Sequence, residues 1–167
     1  MTDLGIVHQG QIKVVTRSHD NQFIFTGDSS GYLKQWKSYT NFDNPLDSNT
    51  ENIQKQLLIK DFGHIHENGI IAMAVSYDNS LLFTCDEKSF MKVWDIEEGK
   101  ILKNLGKKHD FAIGSIALSH DDEYLFTGDK FGFLKQWSVE TYRISKNYGK
   151  AHDYAICSIC VSADSRW

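Results

Sequence analysis

A chain of 167 residues that is 41% apolar, 24% charged and 13% aromatic has the composition of a folded globular protein, which excludes a disordered one. A formal charge of -4 gives no basic footprint for a phosphate backbone, so nucleic acid is not expected as a partner. With no apolar run of about 18 residues, no signal peptide in MTDLGIVHQG and three cysteines at no paired spacing typical of secreted scaffolds, the expectation is an intracellular, cytoplasmic protein without a membrane span.

The chain is internally repetitive. Four histidines, His8, His66, His109 and His152, follow one another at intervals of 58, 43 and 43 residues. A glycine precedes each by three positions (Gly5, Gly63, Gly106, Gly149), and a tryptophan follows each of the first three by 28 (Trp36, Trp94, Trp137). Periods of 20–50 residues mark solenoids, propellers or arrays.

Within the unit the apolar residues fall in short runs divided by turn signals, which predicts strands and not helices. In chain order the first strand is IKVVTRS (12–18), with counterparts IIAMAVS (70–76), IGSIALS (113–119) and ICSICVS (156–162). A turn containing Asp20, Asp78, Asp121 or Asp164 follows it, and Asp-Asn at 20–21 and 78–79 suits a tight hairpin that requires φ > 0. The second and third strands form one hairpin, IFTGDSSGYLKQW (24–36), LFTCDEKSFMKVW (82–94) and LFTGDKFGFLKQW (125–137). The fourth, weaker strand is QLLIKDFG (56–63), KILKNLG (100–106) and RISKNYG (143–149). Four antiparallel strands in about 43 residues is one propeller blade, so the fold class is all-β. The expected units are repeat 1 at about 5–62, repeat 2 at about 63–105, repeat 3 at about 106–148 and a partial repeat 4 at 149–167. Repeat 1 carries an insertion at about 38–55, rich in Asn, Asp, Ser and Thr and holding the single proline, which reads as a surface loop.

With glycine-x-x-histidine at its opening, tryptophan 28 residues later and Trp94-Asp95 in the second unit, the chain resembles the WD-repeat family of β-propellers. That resemblance implies a hydrogen-bonded group of histidine, Ser/Thr, Asp and tryptophan in each blade. His8, Thr26 and Trp36 match three of its roles, as do His66, Thr84, Trp94 and His109, Thr127, Trp137, with His152 opening the fourth unit. The family's Asp falls where this chain has Ser30, Lys88 and Phe131, whereas its own repeated acids, Asp28, Asp86 and Asp129, stand two positions earlier. The acceptors for His and Trp N–H are therefore expected from Thr, backbone carbonyls or these displaced acids. A family ring usually has seven blades, so about 3.5 blades imply part of a longer protein, with self-association through the exposed terminal blades as an additional expectation.

Catalytic motifs are missing: there is no nucleophile elbow, phosphate loop or metalloprotease helix, and no cofactor is expected. Cys157-x-x-Cys160 reads as two packing positions, since residues three apart on a strand face opposite ways. His64-x-His66 has a metal-compatible spacing but no evident third ligand. His19 and His120 sit in turns facing solvent. The resemblance places the histidine loops and the turns between second and third strands on one rim, where partners dock. That rim would display Glu67, Asn68, Asp110, Phe111, Lys130, Phe131, Asp153 and Tyr154, a pattern suited to peptides with basic and apolar groups. An alternative function for Phe111 and Tyr154 is to plug the joints between blades. The functional expectation is a non-catalytic protein-interaction scaffold; the alternative is a regulatory or substrate-recruiting domain of a larger enzyme.

Overall fold

A computed structural model describes residues 6–38 and 57–164, which hold twelve strands in three four-stranded antiparallel sheets. Blade 1 comprises β1 (Ile12–Arg17), β2 (Phe23–Asp28), β3 (Tyr32–Lys37) and β4 (Leu58–His64). Blade 2 comprises β5 (Ile70–Val75), β6 (Leu81–Asp86), β7 (Phe90–Asp95) and β8 (Ile101–Lys107), and blade 3 comprises β9 (Ile113–Leu118), β10 (Tyr124–Asp129), β11 (Phe133–Ser138) and β12 (Ile144–Lys150). Each sheet is a meander in which consecutive strands pair. The insertion expected at 38–55 lies almost wholly outside the described residues.

Strand alternation gives each blade two apolar faces. Phe25 and Leu33 of blade 1 pack against Leu82, Trp94 and Ile96 of blade 2. One blade further on, Phe83, Met91 and Val93 meet Leu125, Trp137 and Val139 of blade 3. Phe25, Leu33, Leu82, Phe83 and Val93 expose none of their surface, and each such side chain contributes roughly 1.5–3 kcal/mol through burial. The core is therefore a series of joints between blades, and no blade buries its faces alone.

The repeated glycine before each histidine has a conformational cause. Gly63, Gly106 and Gly149 have φ of 74°, 70° and 72°, a left-handed geometry that a side chain disfavours. Each sits where the ladder between third and fourth strands slips by one residue, and its N–H donates to the side chain two positions back, Asp61, Asn104 or Asn147. This bulge turns the chain out of the fourth strand and into the histidine loop.

The turns after the first strands behave as the Asp-Asn pairs suggest. Asn21 and Asn79 both have φ of 62°, and Asp122 has 58°. They also link neighbouring blades. Asn79 Oδ1 accepts the backbone N–H of His19 at 2.6 Å, while Asp122 accepts those of Tyr77 and Asp78 at 2.8 and 3.0 Å. The rings at these turns meet across the joints, His19 stacked on Tyr77 at 3.9 Å and Tyr77 tilted against His120 at 4.1 Å. His19 and His120 are exposed, but they serve as interblade contacts and not merely as solvated side chains.

One expected strand is not formed. Residues 156–162 carry the apolar pattern of β1, β5 and β9, yet they lack a strand assignment. A β-ladder needs a partner, and the described residues supply no second strand beside this segment. Cys157 and Cys160 are consequently exposed, so opposite-face packing on a strand does not describe them.

Candidate functional site

The hairpin of second and third strands builds a buried polar network in each blade. In blade 1 the Trp36 indole donates to Thr26 Oγ1 at 2.8 Å, Thr26 Oγ1 lies 2.7 Å from His8 Nε2, and His8 Nδ1 lies 2.9 Å from Asp28 Oδ2. Blade 3 repeats the arrangement with Trp137, Thr127, His109 and Asp129 at 2.8, 2.7 and 3.0 Å. The Thr hydroxyl accepts from Trp and donates its single proton to His Nε2. That leaves Nδ1–H to donate to the carboxylate, so the wiring selects one tautomer.

Asp28, Asp86 and Asp129 also shape the neighbouring turn. Asp28 Oδ1 accepts the backbone N–H groups of Ser30 and Tyr32 at 2.8 and 2.9 Å. Asp86 takes those of Lys88 and Phe90, and Asp129 those of Phe131 and Phe133, all at 2.9–3.0 Å. Burial alone would raise the Asp28 pKa, but the two N–H groups and His8 outweigh it and hold the acid below its ordinary value. Ser30, Lys88 and Phe131 contribute only a backbone N–H here, and this is why three different side chains occupy that position.

Blade 2 is wired differently. His66 Nε2 meets Thr84 Oγ1 at 2.8 Å and the Trp94 indole donates to the same oxygen at 3.1 Å, but His66 Nδ1 stands 3.7 Å from Asp86. Asn68 supplies the missing donor: its amide donates to Asp86 Oδ2 at 3.2 Å. Burial, followed by the nearby Lys92 charge, lowers the His66 pKa to about 4, and burial likewise lowers that of His109. Both imidazoles are neutral at pH 7.

A His-Asp-Thr set has the residue types of a hydrolytic constellation, but the arrangement cannot act as one. Thr84 and Thr127 are wholly buried, and each hydroxyl is already engaged by Trp and His. Substrate has no access to the oxygen, so these groups bind the blade together. His64 is exposed and tilted against Tyr32, and no metal-binding group of three or more ligand residues occurs among the described residues.

A further repeated contact was not singled out in the sequence. Lys34, Lys92 and Lys135, two residues before each tryptophan, donate to the carbonyls of Val7, Ile65 and Lys108. Those carbonyls immediately precede the network histidines, so each lysine ties the third strand to the histidine loop. Its signal was the invariant lysine in LKQW, MKVW and LKQW.

On the rim the named residues separate into two groups. Phe111 and Phe131 stack at 3.9 Å while remaining 39% and 53% exposed, and Tyr154 is 84% exposed. Asp110, Lys130 and Asp153 are exposed, as is Glu67 on blade 2, and Asp153 lies 3.9 Å from the Lys150 ammonium. The Ser89 hydroxyl fixes this edge by donating to the Phe111 carbonyl. Asn68 instead turns inward to Asp86 and does not extend the rim surface. His152 is also unlike its counterparts, since it is exposed where the other three histidines are buried.

A family model described as WD domain, G-beta repeat, matches residues 56–95. That match spans the fourth strand of blade 1 and the first three strands of blade 2, so this part of the chain is similar to a WD repeat. Over 93 residues, 56% of this chain and 14% of the relative, the sequence is 27% identical to the polyadenylation factor subunit 2 of Candida albicans. Among solved structures the chain is similar to U3-55K and to the RRP9 WD40 repeats, each with a TM-score of 0.75 at 16% identity; it is covered to 92% and spans 43% and 42% of those chains. It is also similar to the computationally designed Ika4 protein, with a TM-score of 0.69 at 21% identity over 93% of this chain and 82% of that one. At such identities these structures show the fold alone. The chain thus spans less than half the length of these natural proteins.

Proposed function

We propose that this WD-repeat chain is a non-catalytic, intracellular protein-interaction scaffold whose docking surface is the rim of blade 3. The observation that carries the reading is the exposed Phe111–Phe131 stack beside Tyr154. Aromatic side chains held rigid at a surface offer large apolar contact at little entropic cost, which is how interface anchors work. Asp110 and Asp153 are exposed and directly precede Phe111 and Tyr154 in the chain, so the favoured partner is a peptide combining an apolar anchor with a basic group. Occupation of the Thr and His polar atoms inside the blades supports the non-catalytic part of this reading. The free thiols of Cys85, Cys157 and Cys160 support a reducing compartment.

The test is a peptide-array screen of the whole chain, repeated with the Phe111→Ala/Phe131→Ala variant. Peptides with apolar and basic residues should bind the parent and lose at least tenfold in affinity for the variant. Equal binding by both would remove this rim as the docking surface. Fluorescence anisotropy with single-stranded RNA should show no salt-dependent binding; micromolar binding that weakens with salt would replace the peptide reading by a nucleic-acid one.

A further inference from the structure

Charge is unevenly placed in this fold. The stretches 99–109 and 141–152, which hold the outer strands β8 and β12, carry seven of the 18 basic residues and none of the 22 acidic ones. A chain of net negative charge therefore presents a basic outer edge, which draws acidic groups. β8 is also an open edge: it pairs with β7 and, among the described residues, with no strand on its other side. Its Ile101 and Leu102 are 46% and 52% exposed and offer apolar contact there.

Lysine on an edge strand commonly serves to repel other strands, but here two of the ammoniums are drawn aside onto rings of blade 3. Lys103 lies 5.0 Å from the centre of the Tyr142 ring, and Lys108 lies 5.1 Å from that of Trp137. Among the described residues no carboxylate pairs with Lys103, Lys107 or Lys108. Blade 1 differs, since Lys34 meets Asp61 of its outer strand at 3.5 Å, and the counterpart of Asp61 in β8 is Asn104. Burial, followed by the charges of Lys103 and Lys135, lowers the Lys108 pKa, so an anion among these like charges is favoured.

We infer that β8 is a docking edge for an extended acidic segment of another protein, which adds a fifth strand to blade 2 and sets its carboxylates against Lys103, Lys107 and Lys108. Main-chain hydrogen bonds along the edge supply affinity, and the lysines select acidic side chains over basic ones. A peptide brings N–H donors and C=O acceptors as well as charge. A phosphodiester chain brings charge and acceptors but no N–H, so it cannot continue the ladder. This edge shares no residue with the Phe111–Phe131 rim, and it takes a partner of the opposite charge.

The probe is a fluorescein-labelled nonapeptide with Val at odd and Glu at even positions, titrated into the whole chain by anisotropy. Saturable binding that weakens with salt is expected, together with slowed amide exchange in residues 101–107. The Lys103→Glu/Lys107→Glu variant should bind about tenfold more weakly. Both side chains are exposed, so their replacement does not put the fold at risk, and the Phe111→Ala/Phe131→Ala variant should bind as the parent does. Proline in place of the central Val keeps the peptide's charge but interrupts the ladder, and it too should cost about tenfold. Equal binding of the proline peptide would overturn the inference, because charge alone would then be acting. So would an absence of binding at millimolar peptide, exchange slowed only outside 101–107, or single-stranded RNA that binds these lysines more tightly than the peptide does.

Discussion

Blades 2 and 3 carry the same four network residue types on the same strands, yet one position on the rim wires them differently. In blade 3 that position is Phe111, which turns outward onto Phe131 and leaves Asp129 to accept from His109 at 3.0 Å. In blade 2 it is Asn68, which turns inward to Asp86 while His66 stands back at 3.7 Å. The rim residue and the histidine converge on one oxygen, Asp86 Oδ2, and in blade 2 the Asn68 amide is the nearer of the two. Conversely, the choice of an apolar residue releases that position for display. Surface display and core wiring are alternatives at one point in the repeat.

The shared part of the network should give the largest response. Trp137→Ala removes an aromatic ring that is 5% exposed and takes the indole donor from Thr127 Oγ1, so chemical denaturation should show a loss of about 3–5 kcal/mol. Trp94→Ala should lie in the same range, since its N–H makes the same bond in blade 2. A difference well above 1 kcal/mol between the two would mean that the divergent Asp contacts matter more than the common Trp-Thr-His chain.

Acid should come next and should act first on blade 2. The folded His66 pKa is about 4 and the unfolded value is near 6.5, so the unfolded chain binds a proton at a pH where the folded chain does not. The stabilisation is therefore complete above about pH 6.5 and is lost as pH falls towards 4, amounting to roughly 3 kcal/mol. His109 is shifted in the same direction and adds to the loss. The lowered Asp20, Asp28, Asp78 and Asp121 pKa values contribute only as pH drops below about 4, where those carboxylates take up protons. Unfolding free energies from pH 8 to 3 should accordingly decline in two stages. Histidine NMR should give His66 a midpoint near 4; a midpoint near 6.5 would show that it is not held as the structure has it.

Exchanging the acids separates the blades directly. Asp129→Asn leaves the His109 N–H facing an amide in place of a carboxylate, and a loss of about 1–3 kcal/mol is expected for weakening that buried charge-assisted bond. Asp86→Asn should cost about half as much, because its outer donor is the half-buried Asn68 amide at 3.2 Å. Thermal melts of both variants would check the order, and a reversal would move the stronger His–Asp bond to blade 2.

How much of this was legible in the sequence follows from what repeats. The strands, their order and the blade unit could be read because three copies superimpose position by position, and alternating apolar residues have few other uses. The role of Asp28, Asp86 and Asp129 was harder to see, since turn length and not spacing decides which acid reaches the histidine. The inward turn of Asn68 carried no repeat signal at all: its counterparts are Gly10, Phe111 and Tyr154, and only the 3.2 Å contact with Asp86 reveals its use. The 156–162 segment shows the opposite failure, an apolar pattern without the partner strand that would make it a strand. Pattern specifies a side chain's face, whereas a ladder depends on the neighbour that meets it.

The smallest effect is also the sharpest test of the comparison. Asn68→Ala removes the competing donor from Asp86 and should cost about 1 kcal/mol, while Phe111→Ala at the same repeat position should shift stability by about 0.5 kcal/mol or less, since that ring is 39% exposed. The binding readout should reverse this order, with Phe111→Ala abolishing peptide capture and Asn68→Ala leaving it intact. Asn68→Phe then joins the two readouts in one molecule. Without the amide, Asp86 Oδ2 is left to the Nδ1–H of His66, and closure of the 3.7 Å gap should appear as a low-field imidazole proton and a raised His66 pKa. If the His66 midpoint stays near 4 after that change, burial and Lys92 set the gap, and the rim residue does not.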